Sequence, residues 1–443
     1  IVQVSCQERM MTMRDHSHHI QMNRWEAVCA MLAQCSFEPR IETIPTVDAV
    51  DRVLAHPVCT KIAQPPCLTC KLDSIAVHWS DFEQGVPDVS AWERGVQWNF
   101  ANTGVAMPDG FDTAIVVEHV VIDDQGQLVS IDAAPSKCGA GTIPEGARLK
   151  AGTEIIPAGK KLSPLLAASA LSGNNCQVDV FAKPRVAFIP TGDELAPAGD
   201  DLPRTKNVES NSLLIKSKIE QWGGSPILFD IVPDDPAAIE EALRAAVNEA
   251  DIVVLNAGSS KGSGDWSLEV LDRIGTVICH QTNHGPGHHS SYSLLDGTPV
   301  VGISGPPMGA SFTTDFYLRP LMYSFLGLYV KPAFIKARLE GELSSHGHGG
   351  PKAPAHGEDR PSETLGDGSF FFVRRMRVVQ DEAGQMIVFP TASAHPDALE
   401  ADEANAYYMQ PTGEGAESPQ IGDVITIELC DNSLSIEDPV TIK

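Results

Sequence analysis

Ile252-Val-Val-Leu-Asn-Ala-Gly-Ser-Ser-Lys-Gly-Ser-Gly-Asp265 sets a short apolar run directly against a glycine-rich turn. The same arrangement stands on either side of it. Val186-Ala-Phe-Ile189 runs into Pro190-Thr-Gly-Asp-Glu194, and Val300-Val-Gly-Ile303 runs into Ser304-Gly-Pro-Pro-Met-Gly309. Continuous apolar runs of this length, bounded by turn residues, read as strands buried on both faces. The segments between them carry helical punctuation. Asn211 is placed to cap a helix with Ile215, Ile219 and Trp222 on one face, ended by Gly223-Gly224. Asp235-Pro236 opens another, with Ile239, Leu243, Ala246 and Val247 on one stripe and Glu240 paired with Arg244 outside. Strand and helix in alternation predict a mostly parallel sheet joined by right-handed crossovers. Ligands of such sheets bind beyond the carboxyl ends of the strands, where all three turns fall. Glycine there lets backbone N–H groups approach an anion, and each following helix offers its positive N-terminus.

The rest of the chain divides around this core. Residues 1–20 read as a frayed lead-in whose Asp15-His-Ser-His-His19 is a solvated tail rather than a metal site. A helix is expected from Asn23, with Trp25, Val28, Met31, Leu32 and Cys35 on one side, and a second helical stretch runs from Ser163 to Leu171. Between them, Ile44 to Lys137 reads as mainly β, with runs such as Thr113-Ala-Ile-Val-Val117 and turns at Pro108-Asp-Gly110 and Asp123-Asp-Gln-Gly126. After Tyr329 the strands are again short: Phe370–Val373, Arg377–Val379, Met386–Val388 and Asp423–Glu428, the pattern of a small β-barrel. Ser344 to Ser369, rich in Gly, Pro, Ser and His, reads as a loop, and its His346, His348 and His356 as solvated rather than metal-bound.

Composition narrows the function. A chain of 443 residues with 42% hydrophobic and 20% charged residues can bury several cores. A net charge of −26 repels nucleic acid and anionic membranes, and no apolar run reaches the roughly 20 residues of a membrane span. The N-terminus shows no basic, apolar, small-residue signal pattern, and the 10 cysteines form no tight framework. The expected compartment is the cytoplasm, with reduced thiols. Cys67-Leu-Thr-Cys70 has no second CxxC beside it, so packing outweighs a metal or redox role.

Thr191-Gly-Asp-Glu-Leu195, Asp251 through Asp265 and Gly302-Ile-Ser-Gly-Pro-Pro-Met308, in that order and spacing, resemble the molybdopterin-binding domain of molybdopterin molybdenumtransferases. This is the MoeA family, which includes the E domain of gephyrin, and the resemblance runs from Arg24 to the C-terminus. It implies an α/β and β multidomain fold in four parts. These are a split helical linker domain (1–43 with 138–183), a mainly β insertion domain (44–137), a parallel-sheet molybdopterin-binding α/β domain (184–329) and a C-terminal β-barrel (330–443). It also implies a homodimer, with Asp73 approaching the pocket of the other subunit, and a pterin nucleotide as the small-molecule partner.

The family's reaction takes adenylylated molybdopterin and molybdate, releases AMP and leaves molybdenum on the dithiolene. The resemblance implies Mg²⁺, which is held by one or two carboxylates plus phosphate oxygens. Asp193, Glu194 and Asp265 are the expected metal ligands, and Asp265, Asp251 and Asp73 the expected catalytic acids. Each has a plainer structural alternative: a helix cap for Asp193, Glu194 and Asp265, and a solvated strand edge for Asp251. The substrate-binding set is Thr191 and Gly192, then Gly258, Ser259, Ser260, Lys261 and Gly262, then His284 and His288, then Ser304, Gly305 and Pro306.

Three stretches depart from the family's spelling. Lys71-Leu-Asp-Ser-Ile-Ala-Val77 keeps Asp73 and Ala76 but has Ser74 and Ile75 where Gly and Tyr are usual. The next block, Asn102-Thr-Gly-Val-Ala-Met-Pro-Asp-Gly-Phe-Asp-Thr-Ala-Ile-Val-Val117, is better kept. Ile143-Pro-Glu-Gly-Ala-Arg148 replaces an Arg-rich stretch ending in Gly-Glu-Asp, so an acidic position has become Arg148. His280-Gln-Thr-Asn-His-Gly-Pro-Gly-His-His289 stands where the family has a Lys-Pro-Gly-Lys-Pro turn, with His284 and His288 near the lysine positions. If these imidazoles contact an anion, affinity should rise as pH falls from about 8 to 6. Two other functions stay open: a catalytically weakened binder or scaffold of molybdopterin nucleotides, and a metal-dependent nucleotide phosphohydrolase.

Overall fold

The computed structural model describes residues 22–199, 202–256, 266–329, 332–343, 370–391, 402–412 and 418–430. The chain forms two compact units, Arg40–Ala182 and Ile1–Pro39 together with Lys183–Lys443.

In the Arg40–Ala182 unit the entering and leaving segments pair with each other. Ile41–Pro45 lies antiparallel to Gln177–Phe181. Helix α2 (Pro164–Ser172) starts where Ser163 Oγ accepts the Leu166 N–H at 3.3 Å, and Pro164 occupies its first turn. Its Ala167 and Ala170 are buried, and Ala170 packs in a cluster with Leu54, Ile156, Leu162 and Val180. The inner part is β, as the sequence predicts. Ser74–Val77 runs between Trp98–Ala101 and Thr113–Val116, antiparallel to both. Ile75, Val77, Trp98 and Ile115 fill one side of this sheet.

The second unit holds a six-stranded sheet in the order Ser225–Leu228, Arg185–Pro190, Ile252–Asn256, Thr298–Ile303, Ser291–Leu295, Thr276–His280. Its first four strands are parallel and Ser291–Leu295 is antiparallel to its neighbours. Alternate residues serve opposite faces. Val186, Phe188, Val254, Val301 and Ile303 meet Ile215 and Ile219 of α3 (Asn211–Gln221), together with residues of α6 (Pro307–Thr313) and α7 (Arg319–Phe325). Ala187, Ile189, Val253, Leu255 and Val300 meet α4 (Pro236–Glu249) and α5 (Ser267–Ile274) on the other face. The expected Glu240–Arg244 pair forms at 2.9 Å. A π-helical stretch, Thr314–Leu318, joins α6 to α7.

Five strands close the C-terminal barrel: Phe370–Gln380, Met386–Pro390, Phe334–Leu339, Val424–Leu429 and Ala406–Thr412, which pairs back onto the first. Met376, Leu339, Val388, Ala406 and Ile427 lie inside it. The segment Ser344–Ser369, with His346, His348 and His356, lies outside the described residues, as does Asp15–His19.

Helix α1 (Arg24–Leu32) forms with a full capping box, Asn23 accepting from the Glu26 N–H and Glu26 returning to the Asn23 N–H. Its Ala27, Val28 and Met31 are buried in the same core as Phe188, Trp222 and Tyr292, within the sheet-and-barrel unit. Arg24 adds a buried pair, its guanidinium donating to Glu428 of the barrel strand at 2.7 and 2.9 Å.

Candidate functional site

The chain runs outward from Arg185–Pro190 to one neighbour, Ser225–Leu228, and then returns to the other, Ile252–Asn256. That reversal opens a crevice at the carboxyl ends of the two central strands. Thr191, Asn256 and Ser304 stand at the ends of three adjacent strands. Thr191 donates its N–H and its hydroxyl to the Asn256 carbonyl, both at 3.1 Å. Asn256 Nδ2 donates to the Ser304 carbonyl at 2.7 Å. Asn211, the first residue of α3, donates to Asn256 Oδ1 at 2.8 Å and to the Gly305 carbonyl at 2.7 Å. Four buried or half-buried polar groups thus tie three strand ends together. Asn211 was expected as the cap of α3, but the cap position is Ser210 and the Asn211 amide faces the strand ends instead.

Glycine is required beside this network at Gly192. Its φ is +148°, a backbone conformation that residues with a Cβ rarely adopt. Asp193 and Glu194 are both exposed. Asp193 exchanges backbone-to-carboxylate hydrogen bonds with Asp234, its N–H donating at 3.2 Å and the Asp234 N–H returning at 3.3 Å. Burial, then the charges of Glu194 and Asp193, raise the Asp234 pKa above the ordinary carboxylate range. Lys206 Nζ donates to the Asp193 carbonyl. Such an excess of carboxylate suits a hard, oxygen-seeking cation. Among the described residues no three His, Cys, Asp or Glu side chains gather into a metal cage, so phosphate oxygens and water would have to complete a Mg²⁺ shell.

Two expected site residues stand elsewhere. Asp251 precedes Ile252–Asn256, at the amino end of the parallel strands. Its carboxylate accepts from the Arg185 N–H at 2.7 Å and pairs with the Arg185 guanidinium at 3.1 Å. It ties two strand starts together, and the full length of the strand separates it from the crevice. His284 is fully buried, so it offers no contact to a dissolved anion. Its Nδ1 faces the Pro286 carbonyl at 3.2 Å and its Nε2 faces the Tyr317 hydroxyl at 2.6 Å. A neutral ring donating at Nδ1 and accepting at Nε2 satisfies both contacts. Burial, and secondarily the Arg24 charge, push its pKa down to about 3. His288 is half-buried and packs on His289 with ring centroids 3.8 Å apart.

The depressed His284 pKa has a direct consequence for stability. Between about pH 6.5 and pH 3 the unfolded chain binds a proton at this ring that the folded chain refuses. His284 therefore costs nothing above pH 6.5 and destabilises progressively below it. The thermal midpoint should fall from pH 7 to pH 5, and less steeply in His284→Gln. Parallel pH profiles for the two proteins would contradict this assignment. With His284 buried, a rise in anion affinity between pH 8 and 6 would rest on His288.

In the Arg40–Ala182 unit, Asp73 is exposed and accepts from the Thr103 N–H at 2.8 Å and hydroxyl at 2.9 Å. Those bonds hold its carboxyl below the usual range. Thr103 also lines a cleft of about 220 Å³ with Lys71, Gln64, Thr69 and Arg148. Arg148 therefore adds a second cation to a cleft already holding Lys71. Ile75 is fully buried among Val77 and Trp98, and the Ser74 hydroxyl donates to the Leu72 carbonyl at 2.7 Å. Neither substitutes for a tyrosine hydroxyl. Cys70 is a packed thiol, its Sγ on the Leu72 carbonyl at 2.9 Å. Gly258, Ser259, Ser260, Lys261, Gly262 and Asp265 lie outside the described residues. Ser304 and Gly305 are half-buried, and Pro306 is exposed beside them.

A multidomain α/β protein with a switch-point crevice, a β lobe and a terminal barrel is thus the class that fold and site define. Comparison with known proteins gives the family. Residues 22–173 match the MoeA N-terminal region (domain I and II), and residues 187–324 match the probable molybdopterin binding domain. A molybdopterin molybdenumtransferase of Nostoc sp. is 28% identical over 337 residues, covering 70% of this chain and 77% of that protein. The enzyme of the same name from Haemophilus influenzae is 25% identical over 314 residues, covering 68% and 77%. The crystal structure of a molybdopterin biosynthesis MoeA protein from Pyrococcus horikoshii superposes with a TM-score of 0.70 at 21% identity, over 93% of this chain and 100% of that one. The chain belongs to the molybdopterin molybdenumtransferase (MoeA) family. Among the described residues no helix is long and apolar enough to cross a membrane.

Proposed function

We propose that the protein is a transferase of molybdenum cofactor biosynthesis, inserting molybdate into adenylylated molybdopterin with release of AMP. The observation that carries this is the strand-end network of Thr191, Asn256, Asn211 and Ser304, within a chain matching both family regions. The network fixes three strand ends, so that backbone groups there can hold the pterin nucleotide without rearrangement at the moment of reaction. Thr191, Gly192, Ser304, Gly305 and Pro306 are its proposed contacts, with Gly258 to Gly262 and His288. Asp265 and Asp73 are its proposed acid groups. Asp193 and Glu194, supported by Asp234, would hold Mg²⁺, which when bound draws phosphate oxygens together and offsets their charge. The assembly is a homodimer in this proposal. Sedimentation at micromolar concentration showing only a 47.5 kDa species would count against it.

The burial of His284 and the presence of Arg148 favour a second reading, a binder of molybdopterin nucleotides with weakened turnover. Incubation with adenylylated molybdopterin, Mg²⁺ and molybdate separates the two. AMP released with cofactor formed supports the transferase, and binding without AMP supports the binder. AMP released without metal insertion would point to a nucleotide phosphohydrolase.

A further inference from the structure

We infer that Asn211 recognises an uncharged hydrogen-bond donor of the ligand, an N–H or O–H group, and not a phosphate or molybdate oxygen. This rests on the strand-end crevice being the pterin-nucleotide site. Both hydrogens of the Asn211 amide are committed, one to Asn256 Oδ1 at 2.8 Å and one to the Gly305 carbonyl at 2.7 Å. Rotating the amide by half a turn would set its oxygen against two acceptors, so the orientation is fixed by the network and not merely assigned. Asn256 cannot turn to relieve it, because its own Nδ2 donates to the Ser304 carbonyl at 2.7 Å. The Asn211 oxygen is consequently left without a partner, on a residue only 6% exposed.

An unmatched buried amide oxygen weakens a fold, and its orphan state needs a reason. Here the atom belongs to the residue that bridges the ends of two strands in the crevice. A ligand N–H or O–H would complete the network. An oxyanion at neutral pH has no hydrogen to give and would meet the oxygen lone pairs directly. The backbone N–H groups of the turns and the Asn211 oxygen thus divide the ligand between them, the charged portion to the former and a neutral edge to the latter. An adenylylated pterin carries such donors in three places, the amide-like edge of the pterin ring, the ribose hydroxyls and the adenine amino group.

Calorimetric titration tests this with two sets of probes. Pterin is compared with N3-methylpterin, and AMP with its 2′-deoxy, 3′-deoxy and N6,N6-dimethyl counterparts. In the wild-type protein the analogue lacking the recognised donor should bind about tenfold more weakly or worse, because the oxygen is then left buried and unmatched. The affected pair names the edge. Asn211→Ala should equalise that pair. Asn211→Ser, which keeps a donor for Gly305 while removing the amide oxygen, should do the same if the alanine variant is unstable. If parent ligands bind and every pair differs by less than about threefold, or if both variants keep the discrimination, the proposal is wrong while the ligand class stands. If neither pterin nor AMP binds, the ligand class itself is wrong and the proposal falls with it.

Discussion

Asp265→Asn is expected to lower AMP release by a factor of ~10²–10³, about 3–4 kcal/mol, at saturating Mg²⁺, with thermal unfolding unchanged. Asp265 ends the glycine-rich run Gly258 to Gly264 and precedes α5 in sequence. Its plainest alternative role is to cap that helix. The cap position of α5 is Trp266, which makes no side-chain cap bond. Asn also caps about as well as Asp, so the substitution is silent toward a capping role in any case. What it removes is one negative charge, with shape kept. If that charge holds Mg²⁺ or orients the reacting phosphate, turnover falls while the fold does not. Unchanged turnover in a normally folded variant would remove Asp265 from the mechanism. Should the wild type release no AMP, Mg²⁺-dependent affinity for the nucleotide in the two proteins decides the same point.

The sheet was legible because its signals are local. Val186–Ile189, Ile252–Leu255 and Val300–Ile303 are apolar on both faces, and only a central parallel position buries both. The helix start at Asn23 and the proline at α4 were equally local. Asp251 stands where its sequence position puts it: it precedes its strand, and in a parallel sheet the amino ends lie opposite the crevice. His284 could not have been judged this way. Its place near lysine positions of relatives says nothing of burial, which comes from Tyr317 and Pro286 closing around the ring. Asn211 was read as a cap because caps are the commonest use of Asn at a helix start. Its actual partners, Asn256 and Gly305, are 45 and 94 residues away, beyond the reach of any local pattern.

Arg24→Met is expected to destabilise the protein by about 3–5 kcal/mol, and Glu428→Leu by a similar amount, while the two together cost less than either alone. Arg24 and Glu428 are 5% and 4% exposed. Their two hydrogen bonds, at 2.7 and 2.9 Å, form the fork geometry that matches guanidinium to carboxylate. The guanidinium also lies 3.5 Å from the Phe316 ring centroid, which adds a contact only a cation exploits. Removing one partner strands the other charge in a dry interior, and the desolvation it underwent is no longer offset. Removing both replaces two buried ions with apolar volume, the exchange that burial tolerates best. The pair ties α1 to the barrel strand Val424–Leu429, so the singles should also loosen the N-terminal helix before the rest of its unit. Urea denaturation of the four proteins, with hydrogen exchange over residues 24–32, measures both effects. Single substitutions costing under about 1 kcal/mol would show the pair to be solvated, and a fully additive double mutant would show the two charges to be uncoupled.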